Sequence, residues 1–188
     1  MRLGVYVGSF DPVHKAHIKV IKHVIENNYV DKVIVIATTG YWDKQQLTKL
    51  ENRIDMLKFY ESDNIIINTN LNKLSYTYEI LNKLKEQYPS DELYLIIGAD
   101  NVKQFHLWKE VDSILTNKVL ILPRNDIDVF KYIDNFKQKN HFIVVKDFNS
   151  SYISSTEIRE LVRSKKYREL DELIDSNVLQ YIIENNIY

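Results

Sequence analysis

Leu3-Gly4-Val5-Tyr6-Val7-Gly8-Ser9-Phe10-Asp11-Pro12-Val13-His14-Lys15-Ala16-His17 begins as a short apolar run, breaks at a glycine and a proline, and resumes as a helical pattern. Leu3–Val7 reads as a buried strand, and His14–Asn27 as a helix with Ile18, Ile21 and Val24/Ile25 on one face. The same alternation continues down the chain. Strands are expected at Lys32–Ala37, Asn64–Asn68, Leu93–Ile97, Lys118–Leu122 and His141–Val145, with a helix between each pair. The clearest helices are Leu50–Tyr60, where Thr48 and Glu51 have capping-box spacing, and Tyr76–Gln87, ended by Pro89. Two more, near Ser155–Arg163 and Asp175–Asn185, close the chain. Strands separated by helices predict a mostly parallel sheet covered on both faces. The fold class is therefore α/β, a single domain over 1–188 with a small C-terminal helical part from about 154.

Composition narrows the function. Lys and Arg total 25 against 26 Asp and Glu, a net charge of -1, which argues against a nucleic-acid binder. There is no cysteine, which excludes a disulfide scaffold, a thiolate metal site and a cysteine nucleophile. The first residues lack the apolar run and cleavage site of a signal peptide, and no stretch approaches the ~20 apolar residues of a membrane span. A cytoplasmic protein with no membrane partner is expected. At 188 residues the chain can bury roughly 70% of its unfolded surface.

Only 4 glycines are present. Gly8, Gly40 and Gly98 each follow a strand, as does Pro123, so all lie at the carboxyl edge of a parallel sheet, where ligands bind. Simple turns at strand ends are the alternative reading. After Gly8, the start of the next helix offers unpaired N–H groups and a partial positive charge, an anion site. His14 and His17, at i and i+3, share one face of its first turn and can donate to phosphate oxygens. A metal pair or ordinary helix residues are the alternatives. Ile153-Ser154-Ser155-Thr156-Glu157-Ile158-Arg159 supplies a second capped helix start, with hydroxyls and a guanidinium that can grip phosphate. Trp108 offers a flat face or a core residue. Asp100 is a ribose acceptor, a helix N-cap, or both. Lys44 reaches phosphate or solvent. His23, His106 and His141 have no nameable partner and default to the surface.

The first segment resembles the (T/H)xGH signature of the nucleotidyltransferase superfamily, with Ala16 where that family usually has glycine. Ile153–Arg159 resembles its ISSTxxR signature. Ser75-Tyr76-Thr77-Tyr78-Glu79, then Leu95-Ile96-Ile97-Gly98-Ala99-Asp100-Asn101, then Phe105-His106-Leu107-Trp108-Lys109 are similar in order to the SYTxDT, GAD and tryptophan elements of nicotinate-nucleotide adenylyltransferases. Val178–Tyr188 resembles that family's tail. Two departures fall on the acceptor side: Glu79 stands where the family has aspartate, and of a PPHK segment only Lys44 remains.

The resemblance implies a Rossmann-like fold and a reaction joining nicotinate mononucleotide to the adenylyl group of ATP, with release of pyrophosphate. It implies His14, His17 and Arg159 as catalytic residues. Gly8, Ser9, Phe10, Lys44, Gly98, Asp100, Ser154, Ser155 and Thr156 would bind ATP, and Tyr76, Thr77, Glu79 and Trp108 the acceptor. Mg²⁺ would enter with ATP, with no protein metal site. ATP and a pyridine mononucleotide are the implied partners, and a homo-oligomer is compatible with the family. Nicotinamide mononucleotide or phosphopantetheine as acceptor, or a nucleotide-binding module without turnover, are the competing readings.

Overall fold

The computed structural model describes residues 1–39, 47–124, 127–150 and 152–188. Six strands form one parallel sheet: β1 (Arg2–Gly8), β2 (Lys32–Ala37), β3 (Ile65–Ile67), β4 (Glu92–Gly98), β5 (Lys118–Leu122) and β6 (Phe142–Val144). Their spatial order is β3-β2-β1-β4-β5-β6. The order reverses between β1 and β4, and the crevice beyond their carboxyl ends is where such sheets bind ligands.

Period-two sorting explains the two cores. Val33, Val35 and Ala37 of β2 face one side, and Ile34 and Ile36 face the other. The first side is covered by α1 (Lys15–Glu26), α2 (Leu50–Lys58), α7 (Ser155–Arg163) and α8 (Ser176–Glu184), through Ile18, Ile21, Met56, Leu57, Ile158 and Ile182. The second is covered by α3 (Thr77–Gln87) and the shorter α4 (Ala99–Val102), α5 (Val111–Ile114) and α6 (Phe130–Ile133), with Ile80, Leu84, Phe105 and Ile114 in its core. Each such side chain contributes roughly 1.5–3 kcal/mol by burial. The C-terminal helices thus share the core that α1 and α2 complete.

Local details depart from expectation. β3 and β6 are shorter than predicted, and among the described residues the crossovers β4–β5 and β5–β6 hold only one-turn helices and 3₁₀ turns. The Thr48–Glu51 capping box does not form: Lys49 is the N-cap of α2, without a side-chain bond. The Thr48 backbone is drawn elsewhere, its N–H to Asp11 Oδ2 at 3.2 Å and its carbonyl to Arg53 Nε at 3.0 Å. Among the described residues, helix C-termini use no glycine. Asn28, Lys165 and Asn186 take the left-handed conformation just past α1, α7 and α8, and the 6→1 and 5→2 bonds of the Schellman motif follow each. His23 and His141 are half-buried rather than on the surface: His23 lies 3.3 Å from the Asp147 carboxylate, and His141 Nδ1 lies 3.2 Å from the Asn117 carbonyl. Among the described residues no helix is long and apolar enough to cross a membrane.

Candidate active site

The carboxyl edge of the sheet opens into a cleft of about 1350 Å³, larger than the roughly 300–1,000 Å³ of an ordinary small-molecule site. Gly8, Ser9, Phe10, His14, His17, Tyr76, Thr77, Gly98, Asp100, Trp108, Ser154, Ser155, Thr156 and Arg159 all line it. Lys44, with Gly40 and the rest of its loop, lies outside the described residues. Glu79 is the exception among described candidates. It caps α3 instead, its Oε2 accepting from the Tyr76 N–H at 3.2 Å.

At one end of the cleft the Gly8–His14 loop turns from β1 into α1. Phe10 has φ 48, a conformation that costs energy in a bulky residue and persists only when its surroundings impose it. They do. The Phe10 ring is 2% exposed and packs edge-on against Tyr6 and His17, with centroids 5.4 and 4.9 Å away. It also explains Gly8: a Cβ there would meet the Phe10 ring at 3.0 Å.

His14 is the N-cap of α1, and the two histidines cap each other. The His17 N–H donates to His14 Nδ1 at 3.4 Å, and the His14 N–H donates to His17 Nδ1 at 3.2 Å. Their rings stack with centroids 3.6 Å apart and planes 17° from parallel. An Nδ1 that accepts cannot carry the proton, so each neutral ring is the Nε2–H tautomer and presents a donor. Burial, helped by the charge of Arg124, holds the His14 imidazolium pKa down at about 4. At neutral pH this histidine is a neutral N–H donor.

The second motif holds the first. From the start of α7, Ser155 Oγ donates to the Pro12 carbonyl at 3.0 Å, and Arg159 Nη1 donates to the Asp11 carbonyl at 2.7 Å. Arg159 Nη2 also donates to Thr156 Oγ1 at 3.0 Å. Ser154 caps α7, its Oγ accepting from the Glu157 N–H at 3.1 Å. These groups were expected to face phosphate. In this structure they also fasten the histidine loop, with Ser154 acting as the cap.

Three residues were missed in the sequence. Arg53 is 1% exposed, and its guanidinium bonds the carbonyls of Ser9, Thr38 and Thr48, tying together the segments that leave β1 and β2. Its signal was readable, because Arg53 shares the buried stripe of α2 with Met56 and Leu57. Arg124, just past β5, lies 3.6 Å from the Asp100 carboxylate on the cleft wall. Tyr188 donates to Asp11 Oδ1 at 2.6 Å. Asp100 itself lies inside the first turn of α4, whose N-cap is Gly98. A Cβ on Gly98 would collide with its carboxylate.

The other end of the cleft is aromatic. Trp108 is half-buried, one side of its ring tilted against Phe105 with centroids 5.0 Å apart. Lys109 Nζ stands 4.2 Å over the Tyr76 ring and 5.9 Å from Tyr78. Among the described residues no group of three or more His, Cys, Asp or Glu side chains is placed to hold a metal ion.

Comparison with known proteins agrees with this geometry. The cytidylyltransferase-like family model matches residues 5–161. A protein of Endomicrobium trichonymphae named "Probable nicotinate-nucleotide adenylyltransferase" is 31% identical over 198 residues, covering 100% of this chain and 98% of the relative. A Flavobacterium psychrophilum protein of the same name is 32% identical, with 100% and 99% covered. The solved structure of Plasmodium falciparum nicotinic acid mononucleotide adenylyltransferase complexed with NaAD superposes with a TM-score of 0.84 at 24% identity, covering 100% of this chain and 97% of that one. The structural likeness carries the fold. The sequence match, running through the histidine loop and the start of α7, places this chain in the cytidylyltransferase-like family, among the nicotinate-nucleotide adenylyltransferases.

Proposed function

We propose that the protein transfers the adenylyl group of ATP to nicotinate mononucleotide, giving deamido-NAD and pyrophosphate, a cytoplasmic step of NAD biosynthesis. The observation that carries this reading is the mutually capped pair His14 and His17. It brings two imidazoles, that of His14 a neutral N–H donor, to the positive start of α1, in one cleft with Arg159 and Arg124. An anion-binding helix start of this kind suits a reaction that concentrates charge on phosphate oxygens.

The acceptor's 5′-phosphate attacks the α-phosphorus of ATP in line. A new P–O bond forms as the bond to the β-phosphate oxygen breaks, and pyrophosphate leaves with the electron pair. A phosphate monoester has a second pKa near 6 and is largely dianionic at neutral pH, so the attack needs no general base. His14 and His17 hold the α-phosphate oxygens and take up charge as it develops. Arg159, with its five donors, fixes the histidine loop and grips the β- and γ-phosphates together with Thr156, while the Ser155 hydroxyl holds the Pro12 carbonyl. Catalysis is positioning and charge stabilisation.

The carboxylates on the cleft wall fit a metal that arrives with its substrate. Both Asp11 oxygens are engaged by Tyr188 and Thr48, and Asp100 pairs with Arg124. Mg²⁺ would therefore be held by ATP oxygens and water, where it would neutralise phosphate charge.

Nicotinate is favoured over nicotinamide by Lys109. Its ammonium, set among Tyr76, Tyr78 and Trp108, gives the aromatic end of the cleft a cation that complements a ring carboxylate. The test is pyrophosphate release from Mg-ATP with nicotinate mononucleotide, nicotinamide mononucleotide or 4′-phosphopantetheine at matched concentrations. Preference for the nicotinate form is expected. Preference for another acceptor overturns the assignment while keeping the chemistry, and binding of ATP with no release points to a non-catalytic module.

A further inference from the structure

We infer that the Tyr188 hydroxyl is a positioning residue for adenylyl transfer, acting through Asp11 on the histidine loop. The inference rests on the function proposed above. Tyr188 does not trail from α8. The chain reverses at Asn186, with φ 48, and the reversal is a complete Schellman motif. The Ile187 N–H reaches the Ile182 carbonyl at 3.0 Å, and the Asn186 N–H reaches the Ile183 carbonyl at 3.3 Å. Ile187, 6% exposed, is seated in the core that α1, α2 and α7 share. The next side chain is thereby aimed at the base of the cleft.

There its hydroxyl meets a carboxylate that is 2% exposed. Tyr188 donates to Asp11 Oδ1 at 2.6 Å, and the Thr48 N–H donates to Oδ2 at 3.2 Å. Burial, and then the Asp11 charge, raise the tyrosine's pKa, which keeps the hydroxyl a donor. Removing one partner of a buried carboxylate leaves an acceptor unsatisfied. Asp11 lies between Phe10, whose strained φ must be imposed from outside, and the His14 cap. Its own carbonyl is held by Arg159. Loss of the Tyr188 bond releases the side-chain half of this fixation and leaves the Arg159 half.

The experiment compares wild type with Tyr188→Phe, which keeps the ring and deletes only the donor. The expected result is a kcat lower by about ten- to a hundred-fold, the scale of a small misplacement in a reaction driven by positioning. The KM values for ATP and acceptor should stay within about twofold. Adding Tyr188→Phe to Asp11→Ala should lower kcat no further. Amide hydrogen exchange gives a readout independent of turnover: protection of Ser9–His14 should fall while that of β2 and β5 is kept. Wild-type kcat and unchanged loop protection in Tyr188→Phe would overturn the inference. A loss of kcat that repeats in full in the Asp11→Ala background, or that comes with general loss of protection, would do the same, because the hydroxyl would then be acting on stability alone. A wild type that turns over no acceptor contradicts the proposed function itself, and the exchange measurement still decides whether Tyr188 holds the loop.

Discussion

The two ends of the cleft are built on opposite plans. At the phosphate end, Asp11 is 2% and His14 5% exposed, and the loop that carries them is bonded by residues from α2, α7 and the segment after α8. At the acceptor end, Tyr76 is 39% and Leu107 62% exposed, and the contacts are ring stacking and a cation over a ring. A strained turn and two cross-capped histidines need a site defined from several directions. A choice between ring substituents needs only a charge and a flat surface. Of the two departures from the family pattern noted in the sequence, Glu79 caps α3 beside this end, and the Lys44 segment lies outside the described residues. On the proposed function, the difference assigns the chemistry to the rigid end of the cleft and selectivity to the exposed one.

The comparison breaks first at His14. Replacing it by alanine removes one donor to the developing charge and the cap of α1, and turnover should fall by about 10²–10³-fold, with the acceptor preference kept. Steady-state pyrophosphate release against both pyridine nucleotides checks both parts. Near-normal turnover would mean that the buried end is scaffold.

Next is Arg53. Arg53→Met leaves three carbonyls without their donor and should destabilise the protein by about 3 kcal/mol, read as a shift in the urea midpoint. A surface-like effect below about 0.5 kcal/mol would show that the segments leaving β1 and β2 are held by packing alone.

These residues also show where sequence reading stops. The strands, the histidine loop and the start of α7 are written locally, in β-branched runs and in motifs a few residues long. The bonds that make the site rigid join residues far apart: Arg53 to Ser9, Arg159 to Asp11, Tyr188 to Asp11. No spacing rule encodes them. Thr48 shows the conflict directly. Its capping-box spacing was sound locally, but Asp11 and Arg53 had the stronger claim on its backbone. Glu79 shows a second limit, because the motif alignment gave no sign that this carboxylate caps its own helix.

A smaller effect comes from pH. The His14 imidazolium pKa lies at about 4 in the fold and near 6.5 in the unfolded chain, so the unfolded chain binds more protons between those values. This histidine leaves stability untouched above pH ~6.5 and costs stability as pH falls from there toward 4. The acid dependence of the urea midpoint should therefore be shallower in His14→Ala than in wild type. Parallel curves would mean that His14 titrates normally.

The smallest effect belongs to the exposed end. Lys109→Met should reduce the preference for nicotinate over nicotinamide mononucleotide by about fivefold, the scale of ~1 kcal/mol between charges near water, with little change in the maximal rate. The ratio of kcat/KM values reads it, and raised salt should shrink it in wild type. An unchanged ratio would move selectivity away from the ammonium.

The central claim is that the phosphate end is set before substrate arrives. Histidine ¹⁵N chemical shifts of the ligand-free protein, followed from pH 8 to pH 4, test it most directly. The account predicts that His14 and His17 are both Nε2–H tautomers at neutral pH, and that His14 stays neutral until about pH 4. A proton on His14 Nδ1, or a titration near 6.5, would contradict it.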